Sequence, residues 1–535
     1  MVSSTILVLL CVALPQLSDG LLTGRPIRNH VGFRSFAVAE DDLDEATERE
    51  ISIPGNMNRR SWISQSLAMG TSSLMLPSMP SFASDTTSNL LVPTPPATRD
   101  LYWPTGKVAF SLLPLAGTST RRKTLQQEVV KDQIWTHDQI QGVVNVNVPV
   151  RQTVVKLSPE AGGGLWVHNP VAPTPELIQQ MKALERDHGT VKHIVLGTVA
   201  LEHKATFGAF ASYFPAATVW IQPGQWSFPV QVPIEFYGLV QRGPRLRELP
   251  VPGKAVTGKE FESRASEPVP WLADFDYEVL GPFKFKSVGA FSETAFYHKK
   301  SNSLIVTDTV CSVTSDPPAI IQEDPRGLLF HARNKATDLI EDTEEVRKRG
   351  WRRMVQFGLV FFPSQIQVST VGQAFDEAGK VPPSLRNLGD GAVPAKLYPW
   401  SWDSDSSDVD NFAAISGNGS LFCPPILTKL ILDREPDATL EWVDRVTKRF
   451  SQTKRIIPSH LNNSVDIKSM KEFSQAFDPL RSRPGNLFPQ RALAEDLALL
   501  QTASDALTKF GVVAPSQVCD GEPARKKGRF RFASS

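Results

Sequence analysis

Residues 191–226 constrain the fold more than any other stretch of the chain. The stretch opens with a short apolar run, 193–196, which is typical of a buried strand. A turn follows at 197–202, and the phenylalanines after it recur at near-helical spacing, which predicts a helix over 203–213. A second β-branched and aromatic run, 218–221, predicts another strand. The pattern is a strand–loop–helix–strand unit of an α/β protein.

Glu202 and His203 stand side by side at the mouth of this predicted helix. Catalytic and metal-binding side chains often lie at such places, because a rigid strand holds the loop that carries them. A lone histidine in a loop is more often a simple hydrogen-bonding side chain, and Glu202 could instead pair with Lys204 or cap the helix. Both residues are therefore candidate ligands whose role depends on what else reaches them.

Composition limits the classes of partner. The chain has 535 residues, 41% of them hydrophobic, which is ample for a large core. Its 57 lysines and arginines balance 56 acidic residues, so we expect no nucleic-acid partner, and a small molecule or a protein stays open. The four cysteines are widely separated, which excludes a CxxC zinc site or a disulfide framework.

The first 83 residues have the character of address signals. Residues 1–20 contain a ten-residue apolar run typical of a signal peptide and too short to span a bilayer. Residues 21–83 end in a twin arginine, Arg59-Arg60, a weakly apolar stretch and a small-x-small cleavage site at 81–83. The alternative is a disordered Ser/Met-rich leader. Two tandem signals resemble targeting to a complex algal plastid and onward to the thylakoid lumen, which implies a soluble mature protein.

The rest of the chain predicts alternating strands and helices. A charged segment, 121–135, has helical character, and a helix should begin at Thr174, with Pro175 and Glu176 in its first turn. Further predicted elements are strands at 107–115, 143–157, 165–167, 276–285, 292–298 and 303–307, helices at 340–362, 440–450 and 491–510, and a long insertion at 363–425. An insertion of that length favours a lid or a docking surface over a simple connection.

Two more polar side chains follow predicted strands. Asp308 comes directly after the strand 303–307, and His460 follows a short strand at 454–458. Asp308 could instead cap the next turn, and His460 could be structural. His168, also at a strand end, is ambiguous.

The order of these residues resembles the metallo-β-lactamase superfamily, whose motif His-x-His-x-Asp-His lies on the loop after a strand. Aligned on its last residue, the motif falls on Thr198, Ala200, Glu202 and His203, so the first two histidines are missing. The bridging aspartate and the last histidine of the superfamily correspond to Asp308 and His460. The resemblance implies an αββα sandwich and one divalent metal ion (zinc, iron or manganese) held by Glu202, His203, Asp308 and His460, with open positions for water.

At the scale of the whole chain, five segments resemble a plastid protein family of plants and algae defined by a domain of unknown function, number 4336: 196–226, 306–321, 329–333, 350–353 and 455–462. The resemblance covers about 101–480 and leaves 481–535 as a helical extension with a basic tail. We expect a metal-dependent hydrolase with a mononuclear site, its substrate open. The alternative is a catalytically inactive fold that acts as a binding or assembly factor in the plastid.

Overall fold

The computed structural model describes residues 123–143, 146–226, 246–251, 269–285, 289–360, 363–369, 371–385, 388, 398–403, 407–481, 494–509, 511 and 513–518. The predicted leader segments 1–20 and 21–83, the predicted strand at 107–115 and the basic tail lie outside the described residues. Within the described part of the chain, no helix has both the length and the apolar character that a membrane crossing requires.

The first of two large sheets has its strands in chain order. Among the described residues it contains β1 (Leu125–Val130), β2 (Ile134–Val143), β3 (Val146–Lys156), β4 (Leu165–His168), β5 (Val191–Leu196), β6 (Thr218–Ile221) and β7 (Leu246–Glu248). Strands β1 to β4 pair antiparallel, whereas β4 to β7 pair parallel. The residues that follow β4, β5 and β6 therefore all lie at the carboxyl end of these parallel strands.

The second sheet brings together strands that are distant in sequence. It consists of β8 (Phe275–Phe285), β9 (Gly289–His298), β10 (Ser303–Ile305), β13 (Arg455–Ile457) and β14 (Val465–Asp466), in the order β14-β13-β10-β9-β8. The strands β10 and β13 are parallel neighbours, with Ile305 opposite Ile457. A separate two-stranded sheet pairs β11 (Ile366–Val368) with β12 (Trp400–Trp402).

Helices connect and cover the sheets. They are α1 (Pro175–His188), α2 (Leu201–Ala211), α3 (Ala319–Gln322), α4 (Arg326–Ala332), α5 (Glu344–Val360), α6 (Val371–Lys380), α7 (Asp408–Ser416), α8 (Pro425–Leu430), α9 (Pro436–Arg449), α10 (Met470–Gln475) and α11 (Ala494–Lys509). Helix α1 begins as predicted, because the Thr174 hydroxyl oxygen accepts a hydrogen bond from the Leu177 N–H at 3.2 Å.

Three apolar cores separate four layers, and the alternation of side chains along the strands explains them. On β5, Ile194 faces a core shared with α1 and α2, whereas Val195 faces the other sheet. On β10, Ile305 meets the first sheet, and Leu304 faces the core shared with helices such as α5 and α9. The layers run helix, sheet, sheet, helix. The predicted αββα sandwich, with an insertion and a C-terminal helix, is confirmed.

One local prediction was wrong, and one predicted helix has shifted bounds. The described part of the segment 121–135 is not helical: it contains β1 and the start of β2, which pair antiparallel across a turn with Asp132 at φ +54°. The helix expected at 203–213 begins two residues earlier, at Leu201, so Glu202 and His203 belong to its first turn. The residue before the helix is Ala200, which has no side chain that can accept a capping hydrogen bond, so nothing in the sequence marked this start.

The insertion has a core of its own. Strand β12 carries Trp400 and Trp402 into an aromatic cluster that packs against α4 and α5, and Ile366 of β11 packs on the same cluster. The guanidinium of Arg353 on α5 lies 4.5 Å from the centre of the Trp402 ring. This part of the insertion is packed structure, and its predicted role as a lid or docking surface stays a prediction.

Candidate metal centre

Three of the four predicted ligands converge. His203, Asp308 and His460 each offer one ligand atom, and these atoms all lie within 4.8 Å of one another. The topology explains the meeting: Asp308 follows β10 and His460 follows β13, and these strands are parallel neighbours whose carboxyl ends share an edge. His203 arrives from the first sheet, on the helix that follows β5.

The contacts between the three side chains are short and direct. The Nε2 atom of His203 lies 3.2 Å from Nε2 of His460. The same His460 atom lies 3.1 Å from Oδ1 of Asp308. On the other side of the ring, Nδ1 of His460 lies 2.9 Å from the carbonyl oxygen of Pro149. A carbonyl oxygen can only accept, so the proton of a neutral His460 ring belongs on Nδ1.

The consequence concerns the contact between His460 and Asp308. With the His460 proton on Nδ1, Nε2 carries a lone pair that faces a carboxylate oxygen, and a cation between these two acceptors makes the contact favourable. Nε2 of His203 can donate to the same lone pair or bind the same cation, depending on its tautomer. Two ligand atoms about 2.1 Å from one ion lie roughly 3.0 to 3.4 Å apart for angles between a right angle and a tetrahedral one. The observed separations of 3.2 and 3.1 Å fall in that range.

Burial keeps the site in the protonation state that a metal requires. Removal from water lowers the pKa of His203 well below the usual histidine value, and burial also lowers the pKa of His460. For Asp308, burial acts to raise the pKa and opposing electrostatic effects lower it, and the net shift is to below the usual value. The lowered pKa values favour two neutral imidazoles and a carboxylate at neutral pH, which is the ligand form of each group.

Glu202, the fourth predicted ligand, is not in the converging group. It is buried in the first turn of α2, and its carboxylate acts on Lys204 by raising the pKa of that amine. Burial is the larger effect and lowers the pKa of Lys204 to about 7, while its Nζ donates to the carbonyl of Trp226 at 2.5 Å. Glu202 therefore lies close enough to Lys204 to affect its pKa, and its predicted role as a metal ligand stays a prediction.

Glu293 on β9 is a residue that the sequence analysis missed. Its Oε1 accepts hydrogen bonds from the Thr307 N–H at 2.8 Å and the Thr309 hydroxyl at 2.7 Å, and its Oε2 accepts from the Asp308 N–H at 2.9 Å. The carboxylate therefore holds the backbone on both sides of Asp308. Burial and the nearby Asp308 carboxylate raise the pKa of Glu293 to about 8, although the hydrogen bonds that it accepts act to lower it. A glutamate inside an apolar strand was the signal available in the sequence.

His168 is fully buried behind the site. Its ring stacks on Trp166, with the two ring planes 2° from parallel, and burial lowers its pKa to about 3. A Cβ on Gly197, at the end of β5, would lie 2.4 Å from Nε2 of His168. The turn that leads toward His203 therefore needs a glycine at this position, because the histidine ring takes the space that a side chain would use.

Comparisons with known proteins follow this geometry. The model of the family described as "Domain of unknown function (DUF4336)" matches residues 131–478, a range that contains the whole site. No curated protein matches the chain.

Similar folds occur among solved structures. A metallo-β-lactamase from Pontibacter korlensis is 10% identical, covering 66% of this chain and 99% of that chain, with a TM-score of 0.29. A metal-soaked Flv1 flavodiiron core from Synechocystis sp. PCC6803 is 9% identical, covering 74% of this chain and 71% of that chain, with a TM-score of 0.33. The DIM-1 metallo-β-lactamase is 9% identical, covering 66% of this chain and 97% of that chain, with a TM-score of 0.27. The assignment of the αββα fold rests on the sheet orders and core layers of the chain itself.

Proposed function

The chain belongs to the DUF4336 family, and from this premise we propose that it is a metal-dependent hydrolase-like protein that holds one divalent ion between His203, Asp308 and His460. The observation that carries the proposal is the convergence of two imidazole nitrogens and a carboxylate oxygen within 4.8 Å of one another, from three separate parts of the chain. Two imidazoles and one carboxylate suit zinc, and iron and manganese are also compatible with this ligand set.

Three protein ligands leave at least one position for water or substrate, which is the pattern of catalytic rather than structural zinc sites. When bound, the ion supplies Lewis-acid polarisation of a scissile bond and an acidified water. The chain supplies the rest. The Pro149 carbonyl fixes the tautomer of His460, and the Glu293 carboxylate fixes the backbone of Asp308, so both ligands are oriented before an ion arrives. The substrate class is not specified by these residues.

Replacing His460 by alanine tests the proposal. We expect the wild-type protein to take up one zinc ion after chelation and dialysis, and to gain about 2.7 kcal/mol of unfolding free energy at a zinc concentration 100 times Kd. The variant His460→Ala should lose both effects. The matched control is His298→Ala, since His298 is equally buried but hydrogen-bonds to Ser301 at the opposite end of β9. The control should keep its zinc.

Turnover separates an enzyme from a protein with a structural ion. Ester, thioester and phosphodiester panels are measured on the zinc-loaded wild type and on both variants. Loss of zinc and turnover in His460→Ala, with little change in thermal stability, supports the enzyme. Loss of zinc together with collapse of stability supports a structural ion, since the binding free energy is then folding free energy. A folded wild type that binds no metal and hydrolyses nothing overturns the proposal and leaves the binding or assembly factor.

We also propose a plastid location, with the lumen of the thylakoid as the destination. The proposal is supported by the tandem signals in 1–20 and 21–83, where Arg59-Arg60 has the form of a twin-arginine export signal. These segments lie outside the described residues, so the support comes from sequence alone.

A further inference from the structure

The loop that carries His460 is held by one buried arginine. Arg151 on β3 donates from Nη1 to the carbonyls of Pro458 at 2.7 Å and Asn462 at 3.0 Å, and from Nη2 to the carbonyl of Leu461 at 3.1 Å. These carbonyls lie on both sides of His460 in the chain. The Arg151 backbone N–H also donates to the Ser459 carbonyl at 2.8 Å. A single residue thus contacts four of the five residues 458–462.

The remaining donors of Arg151 go to a carboxylate. Nε donates to Oδ1 of Asp138 at 2.7 Å, and Nη2 donates to Oδ2 at 2.9 Å. A guanidinium has five N–H groups, and the five acceptors named here use all of them. A cavity of about 280 Å³ lies beside the pair, lined also by Asn463 and Ser464. Because all five N–H groups are used, Arg151 has no free donor for an anion in that cavity.

The loop needs such a clamp because its backbone is strained. Leu461, the residue after His460, has φ of +59°, a left-handed conformation that costs a non-glycine residue about 1 kcal/mol or more. The neighbouring residues of β3 fix the other side of the loop: Val150 forms a β-bridge with His460, and the Pro149 carbonyl accepts from the His460 ring. Arg151 and its two predecessors therefore transmit the register of β3 directly to the orientation of His460.

We propose that Arg151 is a positioning residue for the metal centre: its guanidinium, oriented by Asp138, sets the conformation of the loop 458–462 and thereby the affinity of His460 for metal. The inference rests on the proposed function, because it concerns the same centre. Arginine is required for geometric reasons. A lysine ammonium would keep the charge but has three donors from one nitrogen, and cannot reach three carbonyls and a bidentate carboxylate together.

The test compares two arginine-to-lysine substitutions in zinc titrations of the full chain. Arg151→Lys should weaken zinc binding roughly 10- to 100-fold, the usual effect of removing an outer-shell partner of a ligand. The matched control is Arg326→Lys, because Arg326 forms the same kind of buried two-bond pair with Asp324, at 2.8 and 2.6 Å, on α4. Both variants should lose stability, and the control should bind zinc as the wild type does.

A metal-free readout follows the ring itself. In protein labelled with 15N-histidine, the wild-type His460 ring should show a single tautomer with the proton on Nδ1, and Arg151→Lys should show exchange between tautomers. If Arg151→Lys does not fold, Asp138→Asn serves instead. It removes one strong acceptor while leaving the guanidinium in place, and it should give a smaller loss of zinc affinity in the same direction.

The outcomes separate the two claims. The positioning role is overturned if the wild type binds zinc, both lysine variants have zinc affinities within twofold of the wild type, and the His460 tautomer is unchanged. The proposed function then still stands. A wild type that takes up no zinc overturns the proposed function, and the affinity claim falls with it. A selective loss of affinity in Arg151→Lys, with the control unaffected, supports the inference.

Discussion

Replacing His168 by glutamine should remove a measurable part of the acid sensitivity of the fold. Burial lowers the pKa of His168 to about 3, whereas an unfolded histidine titrates near 6.5. Between these values the unfolded chain binds a proton that the folded chain refuses, so acid favours unfolding. The contribution of His168 to stability is complete above about pH 6.5 and is lost as the pH falls toward 3.

The magnitude follows from the gap between the two pKa values. A pH of 5 is about 1.5 units below the pKa of the unfolded histidine, and each unit corresponds to about 1.36 kcal/mol. The free energy of unfolding at pH 5 is therefore about 2 kcal/mol lower than at pH 7.5. Below pH 5 the loss continues to grow until the folded histidine itself takes up a proton. His137 on β2 is buried to the same degree, and its pKa is also lowered to about 3, so it should behave in the same way.

The assay is urea unfolding at pH 7.5 and at pH 5 for the wild type, His168→Gln and His168→Phe. Between the two pH values, the wild type should lose about 2 kcal/mol more than either variant. Glutamine and phenylalanine differ in polarity and will pack differently on Trp166, so the two variants will differ in absolute stability. Neither has a side chain that titrates at position 168, so both should show the same pH dependence. If the wild type and both variants lose the same free energy within about 0.5 kcal/mol, His168 is not buried as a neutral ring and the reasoning fails.

Two further results are expected. Gly350→Ala on α5 should destabilise the protein by about 3 kcal/mol or more in denaturant titrations, because the added Cβ would lie 1.9 Å from the Leu328 carbonyl oxygen. Gly372→Ala on α6, where the added Cβ has no atom within 4 Å, should instead stabilise it by about 0.5 to 1 kcal/mol. Equal effects of the two substitutions would contradict the packing of α4 on α5. Replacing Arg59 and Arg60 by lysine in a tagged full-length chain should stall delivery before the thylakoid lumen, and unchanged lumenal delivery would show that the pair is ordinary leader.

Sequence reasoning located Asp308 and His460 because each ends a short apolar strand, and polar residues at the carboxyl ends of parallel strands share an edge. It could not assign Glu202, because a helix that starts after Ala200 has no capping side chain to reveal its first turn. It also passed over Glu293 and Arg151. The loops that they hold offer backbone amides to Glu293 and backbone carbonyls to Arg151, and backbone groups leave no trace in residue identity.

Similar reasoning explains the error at 121–135. Its charged side chains suggested a helix, but β1 is an edge strand whose central residues 126–128 are exposed, and an edge strand tolerates polar and charged residues there. The insertion could be recognised by length alone, whereas its aromatic core depends on Arg353 and Trp402 meeting across α5 and β12, which no local pattern encodes.

The pairing of β10 with β13 has a consequence for synthesis on the ribosome. Glu293 and Asp308 emerge almost together, so their half of the centre can form at once, but His460 follows about 150 residues later, roughly 8 to 30 s at ordinary translation rates. During that interval β10 presents an unpaired edge of the kind that recruits other chains. Chains that end before residue 455 leave this edge of β10 unpaired, so we expect them to aggregate more readily than the full chain does.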